Sequence, residues 1–300
     1  IKDLALYEIR NAMILGVEIL IICVVIGLLK NLSASFGSKS MSDISMLVCT
    51  MVIIGISMNS FRIVYQLALD SVSVMVSTME ILTPILLGIM ISTGAVTSGS
   101  ILSPVIIGSV TGFGVILKKI ILPALFVATI LGLINCLTEK DYVNKLGKLI
   151  RNASLIVTGL IIAVLTGIIT IQGLITETSD SLLMSAAKYS LSTFIPIVGG
   201  FTSDTIELFL RCMGTIKNVV GVFAVITLVL IVVVPLIKIL IIALIYKLTA
   251  AVTEPVSESK ISDGLNEMGS CLISMASIMF FCALLFIMFV SIILRIGGNA

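Results

Sequence analysis

The chain is a succession of apolar runs long enough to cross a lipid bilayer, separated by short polar stretches. A spanning helix takes about 20 apolar residues. Ala12 to Leu29 is the first run. Ile44 to Met58 is the second, and it reaches toward Leu69 if protein covers the polar face of Asn59, Arg62, Gln66 and Asp70. Val72 to Ile91 reads as a third, broken at Pro84. Ile101 to Leu117 and Ile120 to Leu137 are separated only by Lys118-Lys119. Leu155 to Ile171, a more polar Leu182 to Val198, the long run Val219 to Val252 and Cys271 to Ile296 complete the set. The reading predicts about seven or eight crossings. Composition agrees: 59% of residues are hydrophobic and 11% charged, against about 25% charged in a soluble domain. So few polar groups cannot cover a water-facing surface, and lipid must be the solvent for much of the chain. The sequence opens on Ile1, so a preceding segment or a processed leader is expected.

A proline-glycine signature recurs at one offset. Leu82-Thr83-Pro84-Ile85-Leu86-Leu87-Gly88 and Phe194-Ile195-Pro196-Ile197-Val198-Gly199-Gly200 place Pro84 and Pro196, and Gly88 and Gly200, 112 positions apart. Pro123 and Pro235 repeat that offset of 112. The expected architecture is therefore an all-α integral membrane protein, a polytopic bundle with two related halves and Pro/Gly-broken helices. It divides into N-terminal helices (1–71), a first membrane repeat (72–175) and a second (182–298), within a single membrane domain. The run around Pro235 reads either as one kinked helix or as two short helices folded back on each other. For Ile101 to Leu137 the hairpin is preferred, because it brings Lys118 and Lys119 to a surface instead of leaving two ammonium groups at mid-depth.

Charge bears on topology. Thr138 to Asn152 carries Lys140, Lys145, Lys148 and Arg151 against Glu139 and Asp141. Its counterpart, Thr253 to Ser270, carries Glu254, Glu258, Asp263 and Glu267 against Lys260. Excess Lys and Arg favours the cytoplasmic side. The expectation is that the two loops lie on opposite faces and that the halves are inverted repeats. Lys118-Lys119 weighs against this, because a hairpin there sits opposite the basic loop.

Several function classes drop out. The near-neutral charge of +2 lacks the clustered basic face of a nucleic-acid binder. With no His, no Ser/His/Asp set exists and the commonest zinc ligand is missing. The six cysteines form no Cys-x-x-Cys pair and read as small apolar packing residues. No enzyme, cofactor or metal site is expected. The candidate path or gate is Pro84, Gly88, Gly94, Gly99, Pro104, Pro196, Gly199 and Gly200. Unwound backbone near the two Pro-Gly breaks is expected to meet near the midplane and hold a solute or form a gate. The Gly/Ser/Thr stretch Ile91 to Ser100 reads equally as a surface loop or a small-residue packing seam. Candidate polar contacts are Glu80, Asp204, Glu207, Arg211, Lys217 and Asn218. Asp204, Glu207 and Arg211 share one face of a helix, as do Asn59, Arg62, Gln66 and Asp70. Each face is either an ion or subunit contact or an amphipathic helix in the interface. Glu18 falls inside the first apolar run.

The run from Phe194 to Gly200, Asp204, Lys217-Asn218-Val-Val-Gly221, Pro235-Leu-Ile-Lys238, Glu254-Pro255-Val256, Ile261, Leu265 and Gly269 resembles the stage III sporulation protein AE family, as does Leu82 to Pro104. The resemblance extends over roughly residues 1 to 298. It implies a polytopic membrane subunit of the channel-like complex that joins mother cell to engulfed forespore in endospore-forming bacteria. It further implies residence in the mother-cell membrane around the forespore. The implied partners are the other stage III sporulation proteins of the same operon and a forespore-side protein. No catalytic residues come with the resemblance. A homo-oligomer is compatible with it. Two rival readings stay open: a stand-alone secondary transporter for a small solute or ion, and a structural scaffold without a path.

Overall fold

The computed structural model describes residues 39–93, 95–136, 143–194, 199–255 and 259–295, together with scattered helical positions between 10 and 25. Side chains at 173–181, 183–184, 186–207 and 209–210, and several before residue 50, lie outside that description. Most of the first apolar run is therefore undescribed, although Glu18 is exposed. The described backbone is helical apart from short turns. In chain order the helices are α1 (Lys39–Ser92), α2 (Val96–Ile116), a π turn (Leu117–Ile121), α3 (Leu122–Asn135), α4 (Asn144–Phe194), α5 (Gly199–Thr253) and α6 (Ser259–Arg295). Among the described residues, five stretches are long and apolar enough to cross a membrane: Thr50–Ser92, Val96–Asn135, Asn144–Gln172, Arg211–Thr253 and Lys260–Arg295. The protein is a helical membrane protein.

Two expected runs, Ala12 to Leu29 and Leu182 to Val198, lie largely outside the residues whose side chains are described; among the rest, neighbouring runs merge by continuity. Runs that polar residues divide in the sequence are single helices in the structure. Asn59, Arg62, Gln66 and Asp70 interrupt the hydropathy of α1 without interrupting its backbone. Lys118 and Lys119 sit in a π turn that joins α2 to α3, so the helix runs unbroken from Val96 to Asn135 and the expected hairpin is not formed. Pro84, Pro104 and Pro235 all lie inside helices. The region around Pro235 is one helix, not two. Proline removes one backbone donor, but in lipid every other backbone group still needs its intrahelical partner, so the helix persists. The 43 residues of Thr50–Ser92 rise about 65 Å at 1.5 Å per residue, roughly twice a hydrocarbon core.

The chain forms two compact units, and both draw on both halves of the sequence. The first comprises residues 1–71, 117–158 and 233–280. In it, Phe126 of α3 stacks against Phe61 and Tyr65 of α1 with ring centroids 5.9 and 4.8 Å apart. The hydroxyl of fully buried Tyr246 on α5 donates to the Ser57 carbonyl of α1 at 3.4 Å. α5 and α6 run antiparallel: Ser262 donates to the Ala250 carbonyl at 2.8 Å and Lys247 to Asn266 at 3.4 Å.

The second unit comprises residues 72–116, 159–232 and 281–300. Here α1 and α2 form an antiparallel hairpin through the turn at Thr93. As contacts step back along α1 from Ile91 through Glu80 to Val76, they step forward along α2 from Gly99 through Thr111 to Gly114. Met75, Met79, Leu86, Leu102, Ile106 and Phe113 on these two helices are buried. Gly221 of α5 lies against Leu294 of α6.

Candidate functional site

A polar cleft of about 100 Å³ lies in the first unit. Three helix ends make it: the last turn of α3 (Gly132, Asn135, Cys136), the first turns of α4 (Asn144, Lys148) and the first turns of α6 (Lys260, Asp263, Gly264, Asn266, Glu267). Spacings of three and four put Lys260, Asp263 and Glu267 on one face of α6. Two glycines let the helices approach. A Cβ on Gly132 would stand 3.1 Å from the Glu267 side chain, and one on Gly264 would collide with the Cys136 sulfur.

That approach brings Nη1 of Arg151 on α4 to 2.5 Å from Oε1 of Glu267 on α6. The two side chains are only 16% and 13% exposed. Charges this far from water are costly alone and tolerable as a pair. Arg151 also reaches the Cys271 thiol, which the Thr129 hydroxyl contacts as well. At the rim, burial pushes the Cys136 thiol up to about 11, and the Asp263 carboxylate adds to the rise. The thiol is therefore protonated at neutral pH and a poor nucleophile. Lysine donors and carboxylate and amide acceptors can hold a polar or charged group. Among the described residues no cluster suits a metal ion.

The cleft corrects the topology expected from charge. Lys148 and Arg151 of the basic loop meet Asp263 and Glu267 of its acidic counterpart in one cleft, so the two loops do not lie on opposite faces. Opposite charges attract, and here the sequence asymmetry records a pairing. The charge argument for inverted halves falls with it.

Of the residues expected to line a path, Pro84, Gly88, Gly99 and Pro104 are described and belong to the second unit. Pro84, Gly88 and Pro104 are exposed on continuous helices. α1 continues through Pro84, and nearby hydroxyls bond back to its carbonyls: Ser92 donates to Gly88 at 2.9 Å and Thr83 to Met79 at 2.6 Å. Gly94 and Pro196 lie outside the described residues. Gly99 packs under Ile91 in the hairpin, so the small-residue seam is the reading that fits it. Gly199 and Gly200 open α5, while the side chains of Asp204 and Glu207 lie outside the description. Glu80 is exposed and accepts from Thr111 at 3.3 Å. Arg211 and Asn218 are exposed; Lys217 is 1% exposed in the second unit. Sequence reasoning missed Gly132, Asn135, Asn144 and Asn266. The signal that leads to them is the three-residue step from Lys148 to Arg151 facing the four-residue step from Asp263 to Glu267.

The family described as stage III sporulation protein AE matches residues 1–297. Among curated proteins, the stage III sporulation protein AE of Bacillus subtilis (strain 168) is 28% identical over 290 residues, which covers 96% of this chain and 72% of that protein. No solved structure matches.

Proposed function

This chain belongs to the stage III sporulation protein AE family, and from that premise we propose that it is a membrane subunit of the channel-like complex linking mother cell and forespore. It resides in the mother-cell membrane around the forespore and works with other stage III sporulation proteins and a forespore-side partner. The observation that carries this reading is the charged cleft at three helix ends, set in a protein whose helices are otherwise built for lipid. Polar recognition in such a chain belongs at the ends of its helices, where a partner's polar segment is reachable. The chain is proposed to act by assembly and not by catalysis.

A scaffold role without a path of its own is the second reading, and the unbroken helices at Pro84, Pro104 and Pro235 favour it. Alternating access in broken-helix transporters uses unwound backbone at the site.

The test is replacement of the Bacillus subtilis relative by this chain, with forespore gene expression as the readout. Rescue by the parent chain, and its loss on Lys148→Glu with membrane insertion intact, is the expected result. Unimpaired rescue by Lys148→Glu would overturn the cleft's role. Saturable solute uptake by the purified protein in liposomes would support a transporter instead.

A further inference from the structure

The cleft at the ends of α3, α4 and α6 holds two opposite charges that it does not join. Arg151 and Glu267 answer each other. Lys148 and Asp263 line the same cleft and are exposed, yet among the described residues neither forms an ion pair or a hydrogen bond. The Asn144 amide beside them is equally uncommitted. The helices fix the depth of the site. Asn135 ends one membrane-crossing stretch, and Asn144 and Lys260 begin two others. The cleft therefore lies where apolar helix gives way to lipid headgroups. One or two positions from the lining residues, Ile134, Leu146 and Leu149 are 44%, 50% and 63% exposed. A ligand here meets charge and bare aliphatic surface together.

We propose that the cleft holds the headgroup of a membrane phospholipid that carries a phosphodiester and a primary ammonium, as in phosphatidylethanolamine. The phosphodiester takes Lys148 and the Asn144 amide. The N-termini of α4 and α6 favour the same anion, through N–H groups that have no intrahelical partner. The ammonium takes the Asp263 carboxylate, and the carbonyls that end α3 favour that cation. Other lipids leave a group unanswered. A glycerol headgroup brings an anion and no cation, so Asp263 repels it and stays without a partner. A choline headgroup has no N–H to donate, and its recognition uses aromatic faces; no aromatic side chain lines the cleft. A water-soluble zwitterion would use the charges but not Ile134, Leu146 and Leu149, which suit acyl chains. The inference goes beyond the assembly role and does not require it: a partner's segment reaches the cleft by displacing the headgroup.

The experiment places the full chain in liposomes of phosphatidylethanolamine, phosphatidylcholine and phosphatidylglycerol in equal parts. The chain is then purified in detergent and the retained lipid identified by mass. Phosphatidylethanolamine is expected to be enriched over the other two by on the order of tenfold, the worth of one hydrogen bond to a charged group. Lys148→Met is expected to abolish the preference, and Asp263→Asn to shift it toward phosphatidylglycerol. Lys145→Met, at an exposed lysine of α4 outside the lining, is expected to leave it unchanged. Equal retention of the three lipids, or an effect of Lys145→Met as large as that of Lys148→Met, would overturn the proposal. Thermal unfolding in detergent is the second readout. Added phosphatidylethanolamine should raise the Tm of the parent chain and not that of Lys148→Met, while soluble glycerophosphoethanolamine at the same concentration should raise neither. Equal stabilisation by the soluble compound would show that the lipid is not the ligand. Loss of rescue by Lys148→Glu with no lipid preference would overturn this inference, give the cleft to a partner's segment and leave the assembly role standing. A lipid preference with unimpaired rescue would do the reverse.

Discussion

The hairpin of α1 with α2 and the hairpin of α5 with α6 differ in how much polar bonding closes them. The first is closed by volume: Gly114 lies under Val76 and Gly99 under Ile91, with one exposed bond between Thr111 and Glu80. The second is closed by volume too, with Gly269 against Lys247 and Ala243, but adds polar partners: Ser262 with the Ala250 carbonyl and Lys247 with Asn266. Its α6 strand of contacts then extends to Arg151 through Glu267. An apolar seam tolerates changes of pH and salt but not of size. A polar seam tolerates modest changes of size but not loss of a partner.

Four measurements break or sharpen that contrast. The largest effect is expected from Arg151→Ala, which strands Glu267 in a mostly buried site. A loss of about 3 kcal/mol in thermal or denaturant unfolding in detergent is expected, with Arg151→Met plus Glu267→Leu recovering most of it. A loss below about 1 kcal/mol would mean that the pair is solvated and that the polar hairpin owes it little. Next is the Cys136 thiol. Held at about 11 instead of 9, it should react with a maleimide about a hundredfold more slowly than a free thiol at pH 7.5. The rate should climb as pH rises toward that value. Asp263→Asn removes the negative charge that disfavours the thiolate, so it should speed labelling at neutral pH. An unchanged rate would remove Asp263 from the cleft's electrostatics.

The apolar hairpin is tested by a pair of glycines. Helix propensity favours Ala over Gly by about 1 kcal/mol. Gly88, with nothing within 4 Å of its Cβ position, should accept Ala without loss. At Gly114 a Cβ would stand 2.7 Å from a Val76 methyl, and overpacking of about 1–3 kcal/mol should outweigh the propensity gain. Equal tolerance at both would show that this seam is looser than its glycines suggest. The smallest effect is expected from Ser262→Ala, about 0.5 kcal/mol. The Ala250 carbonyl keeps two other donors, the Glu254 N–H and the Thr253 hydroxyl, each at 3.1 Å. A loss several times larger would mean that the serine itself fixes the crossing of α5 and α6.

Class and family were legible in the sequence, and so were most residues of the long helices. Length and apolar content dictate a membrane helix almost by themselves, because no other secondary structure satisfies the backbone of a single segment in lipid. Helix ends were not legible. Pro84 looked like a break because proline disfavours helix in water, whereas α1 continues past it. Lys118-Lys119 looked like a surface turn because two charges are costly at depth, whereas the helix continues through them as a π turn. The cleft was half legible: Lys148, Arg151, Asp263 and Glu267 stood out as charges, but net charge per loop hid that they meet. Gly132 and Gly264 carried no signal of their own, because a glycine's value there lies in a neighbour 135 or 128 positions away, Glu267 or Cys136.

The π turn at Leu117–Ile121 has a consequence for how this protein can change over generations. A π turn holds one residue more than the α-helix it interrupts. Elsewhere between Val96 and Asn135, losing a codon would rotate every later side chain by about 100° and turn the buried face of α3 outward. Within Leu117–Ile121 the same loss removes the surplus and leaves plain α-helix on both sides. The stretch is thus a joint in the gene as well as in the helix, a point where descendants can shed a residue and keep the fold.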